Sequence, residues 1–330
     1  MSRTGTAVER IELAGEIPPG AAGQRLDQAL AELFPEHSRS RLKAWILEGA
    51  VRLDGRVPRP RDRLLGGEQV TIDAEVAVEA PLQPEPVSFE IVYEDEALLV
   101  IDKPAGLVVH PGAGNPAGTL QHGLLHRDAR LASVPRCGIV HRLDKDTTGL
   151  MVVARTLAAH TALVAQLQAR EVRREYLALC YGELTGGGRV EAPIGRHPRD
   201  RVRMAVTARG RPAVTHYRLL RRYPGMTLLR VRLETGRTHQ IRVHLAHLGH
   251  PLVGDPVYGG RLRLPPGADE GAVAALRTFR RQALHAAVLG LVHPLSGETL
   301  QWEAPLPDDF EALLAALEGL GVPGVTGEHG

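Results

Sequence analysis

From Ala74 to Ser88 the hydrophobic periodicity of the chain stops. The stretch is acidic and carries Pro81, Pro84 and Pro86. Proline offers no backbone donor and fixes its own φ, so neither a helix nor an inner strand is expected to cross it. It divides the 330 residues into a small module and a much larger one, each long enough to bury a core of its own. We place a first domain at 20–75, a linker at 76–88 and a second domain at 89–318. A tail at 319–330 is expected to be disordered.

Upstream of the break, Arg25 to Leu33 carries Leu26, Ala29, Leu30 and Leu33 at helical spacing. Ser38 suits the N-cap of a second helix with Leu42, Trp45 and Ile46 on its apolar side, and Gly49 suits its end. Val51 to Val57 alternates around Asp54-Gly55, a hairpin signal, and Gly66-Gly67 leads into a strand at Gln69 to Ile72. Two helices and a small sheet make a compact αβ module, one side of which Arg39, Arg41, Lys43 and Arg52 could line.

Downstream, strand patterns dominate: Phe89–Tyr93, Leu98–Ile101, Leu107–Val109, Leu150–Ala154, Glu175–Tyr181, Ala213–Leu220 and Thr227–Leu233. Helical patterns fall at Thr156–Arg170, His239–Leu248 and Asp308–Leu317. Strands in succession with interspersed helices and no regular βαβ repeat predict an α+β domain with a mixed, largely antiparallel sheet.

Charge narrows the partner. Between Ile194 and Leu245 stand 13 arginines and no lysine, against Asp200 and Glu234, whereas Gln301 to Gly330 holds six acids and no Lys or Arg. Such a basic block points to nucleic acid, although an arginine-rich surface would look the same, since only three of the 40 basic residues are lysines. The acidic C-terminal helix could dock on the basic face of its own chain. No run of about 18 apolar residues predicts a membrane span, and MSRTGTAVERIELAGEIPPG lacks a signal-peptide core, so a cytoplasmic protein is expected. Cys137 and Cys180 follow no metal-ligand spacing and read as buried or inert thiols.

Three segments carry reactive groups. In Cys137-Gly-Ile-Val-His-Arg-Leu-Asp-Lys-Asp-Thr-Thr-Gly-Leu150 an apolar run ends in a turn with Asp144 and Asp146. Reactive groups sit well on such turns, but alone Asp144 reads rather as a turn aspartate bonding its own backbone. A metal site built on His141 and the two aspartates lacks a second ligand cluster; no metal is expected. In Leu233-Glu-Thr-Gly-Arg-Thr-His-Gln-Ile-Arg-Val-His-Leu-Ala-His-Leu-Gly249, Thr238 suits an N-cap. The crowding of Arg237, His239, Gln240 and Arg242 exceeds what a surface helix needs, and Arg242 could pair with a buried carboxylate. In Arg173-Arg-Glu-Tyr-Leu-Ala-Leu179, Tyr176 enters an apolar strand, most simply as packing.

Together, HRLDKDTTGLMVVA, the Arg-x-Tyr of 174–176 and LETGRTHQIRVH resemble the signature segments of the ribosomal large-subunit pseudouridine synthases of the RluA type. IDKPAGLVVHPGAGNPAGT (101–119) and HPLVGDPVYGG (250–260) resemble further segments, from about residue 20 to 315 in all. The first module is similar to the S-four type of RNA-binding domain. The resemblance implies an isomerase that needs no cofactor, with Asp144 as the catalytic aspartate, Arg242 as its partner, Tyr176 packing on a flipped base and Arg142 entering the RNA helix. His141, Arg237, His239 and Gln240, with Arg39, Arg41 and Lys43 of the first module, are its expected RNA contacts. It also implies 23S ribosomal RNA or the assembling large subunit as substrate, at uridines of a stem-loop at the subunit interface; a monomer and no membrane partner are expected.

The chemistry is consistent with this set. The N1–C1′ bond of a stacked uridine breaks and the uracil rejoins through C5, so the nucleotide must first be extruded at a cost of a few kcal/mol. A planar arginine can fill the gap, and a tyrosine face returns stacking of roughly 1–3 kcal/mol. A poorly solvated carboxylate stays ionised beside a cation. Attack at C1′, attack at C6 and a glycal route all remain open. So do a ribosome-assembly factor and a base-releasing glycosylase as other readings.

Overall fold

The computed structural model describes residues 8–77, 82–112, 114–200 and 202–320. The chain divides into two compact units between Leu82 and Gln83. Of the expected tail, 321–330 lie outside the described residues, as do 78–81 of the expected linker.

In the first unit, β1 (Val8–Glu16), α1 (Leu26–Leu33), α2 (Arg39–Glu48), β2 (Val51–Leu53) and β3 (Gln69–Ala77) share one core. β3 pairs antiparallel with β1 along nine residues and with β2 on its other side. We expected the unit to begin at residue 20 and missed β1. Its charged positions Glu9, Arg10 and Glu12 obscure the alternation that turns Ile11 and Leu13 inward. β3 likewise continues through Val76 and Ala77, two residues beyond the expected edge. The helix signals hold. Ser38 Oγ accepts from the Arg41 N–H at 3.3 Å, and Gly49 closes α2 at φ 78°. Asp54 and Gly55 form the tight left-handed turn expected. The return strand ends at Arg56, because Pro58 and Pro60 cannot donate, and the extended partner of β2 is β3.

The second unit contains β4 (Glu90–Glu94), β5 (Leu98–Lys103), α3 (Leu120–Arg127), β6 (Thr148–Ala154), α4 (Leu157–Ala169) and β7 (Arg173–Tyr181). It continues with β8 (Gly188–Glu191), β9 (Ile194–Arg196), β10 (Met204–Val206), β11 (Val214–Tyr223), β12 (Met226–Leu233) and α5 (Gln240–His247). The last elements are α6 (Glu270–Thr278), β13 (Leu284–Val292), β14 (Thr299–Glu303) and α7 (Asp308–Glu318). Nine strands form one sheet in the order β4-β5-β6-β13-β7-β12-β11-β8, with β14 also on β13, and β9 pairs with β10 in a separate ribbon. Among the described residues all pairings are antiparallel except β6 with β13, which meet in parallel for two residue pairs. The α+β class is therefore as expected. At that junction Gly149 has φ +113°, and any side chain there would overlap the backbone of Ala286. Leu107–Val109, expected as a strand, is a loop instead. Its backbone is already committed: Val108 and Val109 accept the N–H groups of Leu120 and Gln121 at the start of α3.

Helices cover the sheet in two places. Thr156 caps α4, whose Ala159 and Leu163 bury against Leu98, Val100 and Val152. α7 buries Phe310, Leu313, Leu314 and Leu317 against β7 and β12; each such side chain stabilises by about 1.5–3 kcal/mol. The acidic helix does meet its own basic residues, Arg281 with Asp309 and Arg221 with Glu318. Its apolar face, however, provides most of the contact.

Candidate active site

The turn that carries Asp144 is held from behind, residue by residue. The approach to it begins with three left-handed residues, Arg136, Cys137 and Gly138; at Gly138 a side chain would overlap the Ala154 carbonyl. The chain then runs beside β6 and turns, the Thr147 N–H donating to the Asp144 carbonyl at 3.1 Å. Lys103, fully buried, donates to the carbonyl of Lys145 at 2.9 Å and also to those of Pro104 and Leu107. Burial lowers its pKa to about 8, against the opposing pull of Asp146 and Asp144. Arg281 donates to the Asp146 carbonyl at 3.3 Å, Gln282 Nε2 to the Thr147 hydroxyl at 3.0 Å, and Thr148 Oγ1 lies 2.9 Å from His285 Nδ1. Four consecutive residues are thus fixed by four side chains from β5 and the β13 region, a degree of support that a simple surface turn lacks.

Asp144 points into a cavity of about 460 Å³. Its Oδ2 accepts from Arg242 Nη1 at 3.0 Å, joining residues 98 positions apart. Arg242 projects from α5, and its other edge forms a two-point bond with Asp255, Nε to Oδ2 at 2.7 Å and Nη2 to Oδ1 at 2.9 Å. The Asp255 side chain is wholly buried and also accepts the N–H groups of Val257 and Tyr258. Burial alone would neutralise both partners. The hydrogen bonds and charge between them instead hold Arg242 above its ordinary pKa and Asp255 below its own. The Tyr258 ring lies under Arg242, 5.1 Å from Cζ to centroid.

His239 occupies the N-cap of α5 in the left-handed region, φ 57°, a strained backbone for a side chain of this size. Its Nδ1 lies 2.9 Å from the Tyr258 hydroxyl, which already accepts from the Met204 N–H. With the phenol donating, the Nε2–H tautomer faces Asp144 at 3.9 Å. Burial, then Arg242, favours the neutral ring more than Asp144 opposes it.

The remaining expected residues separate into two groups. Tyr176, Arg142 and Arg237 line the cavity. Tyr176 is buried, and burial raises its phenol pKa. Arg142 is exposed and makes no hydrogen bond or ion pair among the described residues. Arg237 donates to the Pro212 carbonyl at 3.1 Å. His141 and Gln240, expected as RNA contacts, also line the cavity, but their side chains are engaged by the protein itself. His141 Nε2 accepts the Val152 N–H at 3.1 Å, standing in for a strand carbonyl, and burial with Arg174 pushes its pKa to about 3. Gln240 accepts from Thr235 and Arg237 and donates to Val214 and Thr215. The N-cap position of α5 is His239 rather than the expected Thr238, and no side chain caps the helix there. In the first unit Arg41 and Lys43 are exposed on α2, while Arg39 joins Arg25 on the buried carboxylate of Asp27.

Sequence reasoning missed Asp255, Tyr258, Lys103 and the Arg281–Gln282–His285 series. A buried Arg242 shared by two carboxylates was unreadable, although the segment 250–260 had been singled out. Chemically, the arrangement offers a carboxylate paired with a locked guanidinium, and an aromatic face, at one cavity.

Comparison with known proteins agrees with this geometry. The RNA pseudouridylate synthase profile matches residues 97–247, and the S4 domain profile matches residues 24–70. The chain is 60% identical over 301 residues to the ribosomal large subunit pseudouridine synthase D of Xanthomonas campestris, covering 91% of each. It is 58% identical to that of Pseudomonas aeruginosa, covering 94% of this chain and 97% of the relative. To that of Escherichia coli it is 56% identical, covering 94% and 95%. Among solved structures, human RNA pseudouridylate synthase domain containing 4 superposes with a TM-score of 0.54 at 29% identity, covering 69% of this chain and 93% of that one. For human RNA pseudouridylate synthase domain containing 1 the TM-score is 0.53 at 28% identity, covering 70% and 90%. With the motifs, the fold and these relatives in agreement, the chain belongs to the RluA-type RNA pseudouridine synthases and is an isomerase of uridine in RNA.

Proposed function

We propose that this enzyme converts uridines of 23S ribosomal RNA, several of them in the stem-loop at the subunit interface, to pseudouridine, with Asp144 as nucleophile. We further infer a cytoplasmic monomer that takes RNA or the assembling large subunit as substrate. The names of its relatives support the choice of RNA. One observation carries the site: the Asp144 carboxylate opens into a cavity while bonded to an arginine that a second, buried carboxylate already holds.

The function of that sharing is electrostatic. One guanidinium divided between two carboxylates leaves Asp144 only partly paired, so the carboxylate stays available for attack. Arg142, exposed at the cavity mouth, enters the helix as the uridine leaves it, and Tyr176 receives the uracil face. The pair of the N1–C1′ bond stays on the uracil, C5 bonds to C1′, C5 loses its proton and N1 gains one, so no other reactant is needed. Arg41 and Lys43 of the first unit contact phosphates.

Carbodiimide mapping of 23S RNA from a strain lacking the protein identifies the target positions. Complementation with Asp144→Asn should leave them unmodified although the protein is folded and bound. Near-normal pseudouridine with Asp144→Asn would refute the proposal.

A further inference from the structure

Arg174, two residues before Tyr176 on β7, is a largely buried cation that makes no hydrogen bond or ion pair among the described residues. It is 7% exposed and lines the Asp144 cavity. Its Nε has no hydrogen-bond partner, and among the described residues no carboxylate pairs with it. The groups placed against it are uncharged, although Asp144 and Glu234 line the same cavity without pairing with it. His141 is uncharged, Tyr176 is a phenol, and the guanidinium lies under Gly236, where an added methyl would come within 3.0 Å of Nη1. Nε2 of His110, another lining residue, is also buried and unpartnered. Burying a charge with no counter-charge is costly. Arg242 escapes that cost through Asp255 and Asp144, whereas Arg174 does not. A residue tolerated in this state is expected to meet an anion during the reaction.

Two parts of an RNA offer negative charge here: the phosphodiester and the uracil itself. Depth favours the uracil. The rim of the cavity already carries Arg136, Arg142 and Arg237, exposed or partly exposed and suited to phosphates. Arg174 lies inside, beside the tyrosine proposed to receive the base. The charge on the uracil is transient. In each of the three routes open to Asp144, an electron pair moves onto the ring: the N1–C1′ pair on cleavage at C1′ or in glycal formation, or the C5–C6 π pair on attack at C6. Each places the charge on O2 or O4, and each is discharged when C5 bonds to C1′ and its proton leaves.

We propose that Arg174 binds a carbonyl oxygen of the extruded uracil and stabilises the negative charge that develops there, a catalytic role separate from phosphate binding. The proposal rests on the reading that this cavity receives the flipped uridine. A preorganised cation at developing charge has its effect in the transition state and little in the ground state.

The test compares parent, Arg174→Met and Arg174→Lys enzymes on a transcript of the target stem-loop carrying uridine or 5-fluorouridine. Fluorine stabilises the uracil anion without help from the protein. Consumption of the target nucleotide is followed by nuclease digestion and chromatography under single-turnover conditions. Arg174→Met should react about 100-fold more slowly with uridine RNA and lose several-fold less on 5-fluorouridine RNA, with RNA affinity within a few-fold of parent. Its melting temperature should equal or exceed the parent's, because an unpaired buried charge has been removed. Arg174→Lys, which keeps the charge, should retain more activity than Arg174→Met. Equal losses on the two RNAs, a loss confined to affinity, a lowered melting temperature, or equal rates for Met and Lys would each overturn the proposal. An active Asp144→Asn enzyme would refute the site itself. An inactive Asp144→Asn enzyme beside an Arg174→Met enzyme of parental rate would refute only the role of Arg174.

Discussion

Replacing Asp255 by asparagine tests whether Arg242 is held by its buried partner or by the carboxylate it serves. The substitution preserves shape, and the new Oδ1 can still accept the Val257 and Tyr258 N–H groups, at 2.9 and 3.0 Å in the parent. What disappears is the two-point, charge-assisted bond to Arg242 at 2.7 and 2.9 Å. An amide Nδ2 would then face a guanidinium N–H. Hydrogen bonds to charged groups contribute about 1.5–3 kcal/mol each, and removing one partner of a buried pair costs about 3–5 kcal/mol. Arg242 keeps Asp144, so the lower end applies, about 3 kcal/mol. For a domain of this size that corresponds to a melting temperature lower by roughly 6–12 °C. Arg242, released on one side, would turn wholly to Asp144 and neutralise it. The single-turnover rate of pseudouridine formation should therefore fall about 10- to 100-fold with little change in RNA affinity, by analogy with partners that orient a reactive group. Urea melts and quenched-flow assays on the same preparation give both numbers. A variant with parental rate and less than about 1 kcal/mol of lost stability would refute the reasoning, since Asp255 would then not hold Arg242.

Four further outcomes follow from separate features. His285 is 1% exposed, and burial lowers its pKa to about 4. Below the unfolded value near 6.5 the unfolded chain binds a proton that the folded chain refuses, so stability falls with pH until about 4. The stability advantage of parent over His285→Gln in urea melts should therefore shrink by about 2–3 kcal/mol between about pH 7 and pH 4.5, and a constant difference would count against it. Gly149→Ala should cost more than about 3 kcal/mol in thermal denaturation, from clash and positive φ together. Gln240→Leu, which strips four hydrogen bonds, should cost about 3–4 kcal/mol by the same assay; a loss below 1 kcal/mol would mean water replaces them. Charge reversal at Arg41 and Lys43 together should weaken RNA binding and reduce the salt slope by at least 1. An unchanged slope would remove α2 from the RNA interface.

The elements legible in the sequence are those whose own residues specify them. Ser38 and Gly49 bracket α2, Thr156 starts α4, and the apolar run Leu150–Ala154 of β6 could hardly be anything but a buried strand. What escaped reading depends on distant partners. β1 exists because β3 offers it nine residues of ladder. Leu107–Val109 has strand composition, but its carbonyls are already taken by Lys103 and α3. The site divides in the same way. Asp144 and Arg242 were readable through motif resemblance, and the structure brings them to 3.0 Å. Asp255 carries no local signal of its own, since one Asp after a Gly is usually a turn. His141 and Gln240 lie within the motifs and line the cavity, and both are also bonded by the protein, so membership of a motif alone does not separate a support from a contact.

Charge in the cavity is graded by how firmly the protein holds it. At the mouth Arg142 is exposed and unpaired, free to follow a moving strand. At depth Arg242 is fixed on three sides by Asp144, Asp255 and the Tyr258 ring. Asp144, between them, sits on a turn that cannot retreat, because residues 145 to 148 are each bound from behind. In the proposed mechanism, extrusion of a nucleotide needs a cation that travels, whereas attack by a carboxylate needs one that does not. Exchanging the two roles would defeat both steps. A mobile Arg242 would pair fully with Asp144 and quench it, and a locked Arg142 could not occupy the space that the uridine leaves. Arg174 belongs to neither class. It is as buried as Arg242 but unpaired like Arg142, as expected of a group whose counter-charge exists only while the uracil is detached.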